Sequence, residues 1–481
     1  LTPAAPRELG LGRSWYVPLA LAGLCVAIAW GSTFDSSGLL PKGLLKDFNA
    51  FYCAGAALDE HANPYLNEPL GSCESAPKPL DLYAPPPHLV YPAPLPGYAL
   101  AVFGALARLP YGAAAVLWIL VLCAAGWVAV RATHALAGGS LAPVAAAYAL
   151  GTGYAALCLG QVAALAVGGI ALAAVAARRE RPWLAAAALS VAAIEPHVAL
   201  PAGLSLFAFS PRARVPLALA AVALCALSVG SLGIARNVQY FREVLPAHVY
   251  AEQLNDKQFS LTYVLRRLGA DAPAARALGE ASYVLMLALG LRQARRLARA
   301  SGDAAYLAAI PPLFAVAGGP FVHIFQIGAA LPAGFLLRAG AARGRATLGV
   351  AIVLLAVPWV QFANVGTIFA LMVPLAAGVC CFGLVSPSPW RIGLVAGGAI
   401  ALLAALESLL TAAPPLPAAA FAAHWQPQAL AEESWALYMA TYGSFDEGLY
   451  TLAKLPTWLG LAALIAAAFT LRPPGPRTSR S

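Results

Sequence analysis

Long apolar runs separated by short polar loops dominate the chain, and most runs approach the roughly 20 residues that a helix needs to cross a bilayer. They fall at 15–34, 111–130, 142–159, 161–177, 215–234, 278–297, 303–320, 323–338, 346–365, 367–385, 392–411 and 456–471. This pattern predicts an all-α polytopic membrane protein, a bundle of about twelve transmembrane helices. Two further apolar segments do not read as plain spans. Residues 91–107 open on Tyr91-Pro92-Ala93-Pro94-Leu95-Pro96-Gly97, and residues 183–208 carry Glu195-Pro196-His197 in mid-run between two basic loops. Both are expected to be re-entrant, because a crossing by either alone would move every later basic cluster to the wrong side. The alternative is two ordinary spans whose parity errors cancel.

Counting Lys and Arg assigns the loops to sides. Arg7 and Arg13 set the N-terminus inside, and with no small-residue cleavage site after them the first run is expected to be a retained span. Arg131, Arg178 to Arg181, Arg212 with Arg214, Arg292 to Arg299, Arg338 to Arg345, Arg391 and the tail from Arg472 then fall inside, so both termini are expected in the cytoplasm. Outside lie 35–110, the Gly160-Gln161 turn, 235–277, the turn near His323, and 412–455.

Composition agrees with lipid as the solvent: of 481 residues 60% are hydrophobic and only 11% charged, with a mean hydropathy of +0.73. The formal charge of +9 lies in short clusters between apolar runs, a membrane signature and not a nucleic-acid stripe. Cys25, Cys123, Cys158, Cys225, Cys380 and Cys381 sit inside apolar runs as small hydrophobes, whereas Cys53 and Cys73 share the first outer loop and are either paired or free thiols.

Candidate chemistry collects in the outer loops. Residues 46–58 have apolar positions at helical spacing, which predicts an amphipathic helix on the membrane surface. Asp47 at its start is either a capping carboxylate or a functional one. Glu195 and His197 are ionisable groups at membrane depth, where a functional role is the default. Gln161 and His323 reach the same outer face by topology. The loop 235–277 carries Arg236, Arg242, Asp256, Lys257, Gln258, Arg266 and Arg267, a basic excess that suits phosphate groups at the outer interface or, equally, lipid headgroups. Loop 412–455, with Trp425, Trp435, Tyr438, Tyr442, Tyr450, Glu432, Glu433, Asp446 and Glu447, suits either sugar binding or an interfacial aromatic belt.

The order of these features resembles the GT-C superfamily of polyprenol-phosphate-sugar-dependent glycosyltransferases, and most closely glycosyltransferase family 87, a mannosyltransferase-like group. The resemblance is carried by Asp47-Phe48-Asn49-Ala50-Phe51-Tyr52 with Asn63-Pro64-Tyr65, by Tyr91-Pro92-Ala93-Pro94-Leu95, by Gly160-Gln161-Val162, and by Gln258-Phe259-Ser260-Leu261 ahead of Arg266-Arg267. It implies a GT-C-like catalytic module over 1–340, including the first outer loop 35–110, followed by a C-terminal transmembrane module over 341–481. It also implies transfer of a hexose, expected to be mannose, from a polyprenyl-phosphate donor to a lipid-linked or cell-envelope glycan at the outer face of a bacterial plasma membrane. Asp47 would be the general base. His323, His197, Gln258, Arg266 and Lys257 would contact the donor phosphate, and Asn49, Tyr52, Tyr65, Tyr91, Gln161 and Glu195 the substrates. The chain departs from the family where Glu195-Pro196 replaces a frequent Lys-Pro and where Ile324 follows His323 in place of a second His. No nucleotide cofactor or metal is required by this reading, and no Gly-rich phosphate loop is present in the sequence. A transporter or flippase of lipid-linked sugars is the competing class, since broken helices also mark transport sites.

Overall fold

The computed structural model describes residues 45–78, 88–149, 159–255, 257–356, 359, 418–442 and 448–471. Among them the regular structure is helical, with two isolated β-bridges, Leu66 to Leu430 and Gln258 to His323, and no strand. Three helices are long and apolar enough to cross a membrane: Tyr111–Ala137, Pro211–Ala251 and Ala272–Ser301. Their outward faces present Leu120 and Trp127, Val215 and Val222, and Val284 and Leu285 respectively, large apolar side chains that only lipid would cover at this density. Shorter apolar helices, including Ala163–Arg178, Ala305–Gly318, Ile324–Gly340, Arg345–Ala356 and Lys454–Thr470, occupy other predicted runs. The predicted spans 15–34, 367–385 and 392–411 lie outside the described residues, as do parts of 142–159 and 346–365.

The segment between Arg181 and Ser210 is broken in two. Pro182–Ala192 and Pro196–Phe209 are separate helices because Pro196 has no N–H to donate and pushes Glu195 out of the helical region, to φ −116° and ψ 78°. At 1.5 Å per residue they span about 16 and 21 Å, each well short of a ~30 Å hydrocarbon core. Arg212, just after the second helix, pairs with Glu180, just before the first. The two half-helices therefore start and finish at the same end of the bundle, with Glu195 at the tip. That end also holds Arg178, whose guanidinium lies 2.7 Å from Asp303 and donates to the carbonyls of Ala135 at 3.2 Å and Leu136 at 3.1 Å.

At the opposite end, Gly97–Ala107 lies along Lys46–Asp59. The two helices touch backbone to backbone at Gly55, where a Cβ would come within 2.3 Å of the Phe103 carbonyl carbon. Arg108 closes the pair on Asp59 at 2.8 Å. Cys53 and Cys73 form a disulfide, which fastens Asn67–Ser75 to the same helix. The segment 418–442 docks here too: Ala431 N–H donates to the Tyr65 carbonyl at 2.9 Å and Glu68 N–H to that of Pro427 at 2.9 Å.

Candidate active site

The turn at Gly160 sets the site. Its φ of +71° is a left-handed conformation that L side chains rarely adopt, and an added Cβ would meet Phe48 Cβ at 2.6 Å. Trp118 Nε1 donates to the Gly160 carbonyl at 2.8 Å. So held, the next residue, Gln161, donates from Nε2 to Asp47 Oδ2. Asp47 sits in the first turn of Lys46–Asp59, a position the helix dipole favours for an anion, and its carboxylate engages Gln161 across the cavity wall. Helical periodicity puts Ala50 and Phe51 on the same face, and all three line a cavity of about 640 Å³.

Burial raises the Asp47 carboxyl above its ordinary value, opposed by the Gln161 hydrogen bond and the positive fields of Lys46, His323 and Lys257. Burial likewise lowers the Lys46 ammonium to about 8, with Asp47 pulling the other way. The ammonium lies 3.9 Å from the centre of the Tyr91 ring and 5.8 Å from that of Trp435.

The tip of the broken hairpin forms another wall. Glu195 Oε2 accepts from Gln326 Nε2 at 2.9 Å and stands 3.7 Å from His197 Nδ1. Tyr283 Oη donates to the His197 carbonyl at 2.8 Å, and Tyr98 Oη to that of Ala193 at 2.6 Å, so the tip is pinned from two helices. His323 is presented by its bridge to Gln258, whose Oε1 accepts from Val322 N–H at 2.9 Å. Its Nε2 lies 3.3 Å from Glu252 Oε2.

Seven of the twelve residues to which the family resemblance gives a role thus line one cavity: Asp47, Tyr91, Gln161, Glu195, His197, Lys257 and His323. Five others stand behind it. Asn49 Nδ2 donates to the Glu74 carbonyl at 3.3 Å, Tyr52 Oη to that of Leu109 at 2.9 Å, and Tyr65 Oη to that of Leu95 at 2.8 Å. Gln258 clamps the His323 turn, and Arg266 Nη1 donates to the Ala270 carbonyl at 2.6 Å. Of the basic excess in 235–277, Lys257 reaches the cavity, while Arg236 donates to the His61 carbonyl at 2.8 Å; Asp256 lies outside the described residues.

The structure adds wall residues to which the sequence assigned no part, Lys46, Glu252 and Gln326, and it brings Trp435 and Tyr438 of the outer loop 412–455 to the same cavity, where sugar binding was one of two readings for that loop. Lys46 and Glu252 are ordinary charges in polar loops; the signal for Lys46 is its place beside Asp47 in the same helical turn. Among the described residues no group of three or more His, Cys, Asp or Glu side chains is placed to hold a metal ion.

Fold and cavity together define a helical membrane protein with a cavity lined by charged side chains at one end of its bundle. Residues 94–316 match the family model of glycosyltransferase family 87, and this stretch of the chain is similar to that family. The family implies a membrane glycosyltransferase. The matched stretch includes Gln161, Glu195, His197, Glu252 and Lys257; Asp47 precedes it, and His323 and Trp435 follow it. Neither the curated proteins nor the solved structures give a match to the chain.

Proposed function

We propose that the cavity transfers a hexose, mannose in the first instance, from a polyprenyl-phosphate donor to a lipid-linked or cell-envelope glycan, with Asp47 as general base. The observation that carries this reading is the half-buried Asp47 carboxylate, fixed by Gln161 and facing a cavity whose wall supplies Lys46, Lys257 and His323. In the step itself, the acceptor hydroxyl gives its proton to Asp47 as its oxygen attacks the anomeric carbon. The bond from that carbon to the phosphate oxygen breaks on the opposite face, and the lipid phosphate leaves with the electron pair. A carboxyl held above its ordinary value is the stronger base, and the cationic wall balances the charge that grows on the phosphate. Attack opposite the leaving group inverts the anomeric centre.

The Cys53–Cys73 disulfide supports placing this end of the bundle outside a bacterial plasma membrane, with the basic end and both termini in the cytoplasm, because disulfides persist in oxidising compartments. The catalytic module extends over 1–340 in this reading, and 341–481 follows as a C-terminal module. No step is assigned to a metal or a nucleotide. The test is direct: purified protein is incubated with radiolabelled polyprenyl-phosphate mannose and a membrane lipid extract. Label moving into a new glycolipid supports transfer; donor that crosses a vesicle membrane chemically unchanged would instead mark a flippase.

A further inference from the structure

Glu252 lies in the turn after the Leu245–Ala251 helix, lines the cavity, is 3% exposed, and has no part in the transfer step above. Its two oxygens face different partners. Oε1 accepts from the indole Nε1 of Trp435. Oε2 accepts from Asn255 Nδ2 at 2.5 Å and lies 3.3 Å from His323 Nε2. Trp435 is itself fixed, stacked on Tyr438 with ring centres 4.9 Å apart and planes 17° from parallel. Its helix is anchored to the first outer loop through Ala431 and Tyr65.

Burial pushes the Glu252 carboxyl up, yet the charge and hydrogen bond of His323, with His248 and Trp435 adding to them, hold it down to about 2. A carboxylate fixed from several sides can hold an imidazole in one orientation. His323 is also faced by Asp47, Glu195 and His248, and Lys257 lies beside it through the Ile324 N–H to Lys257 carbonyl bond of 3.2 Å.

We propose that Glu252 is a positioning residue for His323 and that Trp435 fixes Glu252 in that role, so that the Ala431–Tyr442 helix completes the donor-phosphate site. This rests on the reading that the donor phosphate is held beside His323. The sign of one substitution is informative. Removing an anion beside a phosphate site would, by direct electrostatics, tighten phosphate binding; loss of a positioned imidazole loosens it.

The probe is farnesyl phosphate, a short polyprenyl monophosphate, titrated calorimetrically into the purified full-length protein, alongside steady-state transfer kinetics. Glu252→Gln is expected to weaken the probe and raise donor KM by about tenfold, with kcat little changed. Glu252→Asp should recover part of that loss, and Trp435→Phe, which keeps the ring and removes the N–H, should weaken binding in the same direction by about threefold. Folded Glu252→Gln that binds the probe as tightly as wild type, or more tightly, overturns the proposal. Should that variant not fold, Trp435→Phe decides: weakened binding supports the proposal and wild-type binding overturns it. His323→Ala separates the two layers. Unchanged probe binding there removes the phosphate reading and this proposal together, whereas weakened binding with an unaffected Glu252→Gln removes only the positioning role.

Discussion

At one end of the bundle Arg178 meets Asp303 at 2.7 Å and Arg212 meets Glu180, cation against anion, tying helix ends together. At the other end the carboxylates of the cavity are oriented largely by neutral donors: Gln161 on Asp47, Gln326 on Glu195, Trp435 and Asn255 on Glu252. An ion pair cancels charge while fixing geometry. An amide or indole fixes geometry and leaves the charge in place, which is what a group needs if it is to take a proton or face a substrate. The carboxylates that tie helix ends, Asp303, Glu180 and, at the cavity end, Asp59, thus meet arginines, whereas those that line the cavity meet amides, an indole and imidazoles.

Among changes to the groups that hold each end together, the largest effect should come from disturbing a neutral support at the cavity end. Gly160→Ala places a Cβ at a φ of +71° and 2.6 Å from Phe48, so Gln161 and Asp47 lose their register. Turnover is expected to fall about a hundredfold, the scale of a small misplacement at a reacting centre, while circular dichroism keeps its helical signal. Turnover close to wild type would mean that the turn does not set the site.

A second effect concerns the cation beside Asp47. The Lys46 ammonium, lowered by burial to about 8, is charged below that pH and loses its proton above it. Donor KM should therefore climb as pH passes about 8, and Lys46→Arg, whose guanidinium keeps its proton, should remove that alkaline limb. Asp47 gives the opposite limb: raised by burial, it is a carboxylate only above its raised value, so kcat should fall on the acid side at a higher pH than an ordinary carboxylate would give. An alkaline limb that persists in Lys46→Arg would assign it elsewhere.

The smallest effect belongs to the basic end. Asp303→Asn should lower stability by about 1 kcal/mol, read from thermal unfolding in detergent, because the pair with Arg178 is only partly shielded from solvent. It should leave kcat and KM untouched, and a marked kinetic change would blur the division between the two ends.

Much of this is legible in the sequence, for identifiable reasons. Polar side chains inside apolar runs are costly, so Glu195, His197 and the Gly160-Gln161 turn stand out from the residue pattern alone. The proline in Glu195-Pro196 announces the broken helix. Asn49 and Tyr52 belong to the same motif as Asp47 yet face away from the cavity, because positions 47, 50 and 51 share one helical face and 49 and 52 do not; motif membership groups residues that helical periodicity separates. Glu252 is not legible as a site residue, and Trp435 is legible only as one of several outer-loop aromatics suited to a sugar or to an interfacial belt. A Glu in a polar outer loop carries no cost that marks it, and its contact with an indole 183 positions away exists only once the chain is folded.

If the Asp47 carboxylate takes the acceptor proton, single-turnover transfer from labelled polyprenyl-phosphate mannose must separate Asp47→Asn from wild type. The asparagine keeps the shape and can still meet Gln161, but it cannot accept the proton. In that variant farnesyl phosphate should bind close to wild type while transfer falls by about a thousandfold or more. Transfer at the wild-type rate would contradict that role for Asp47.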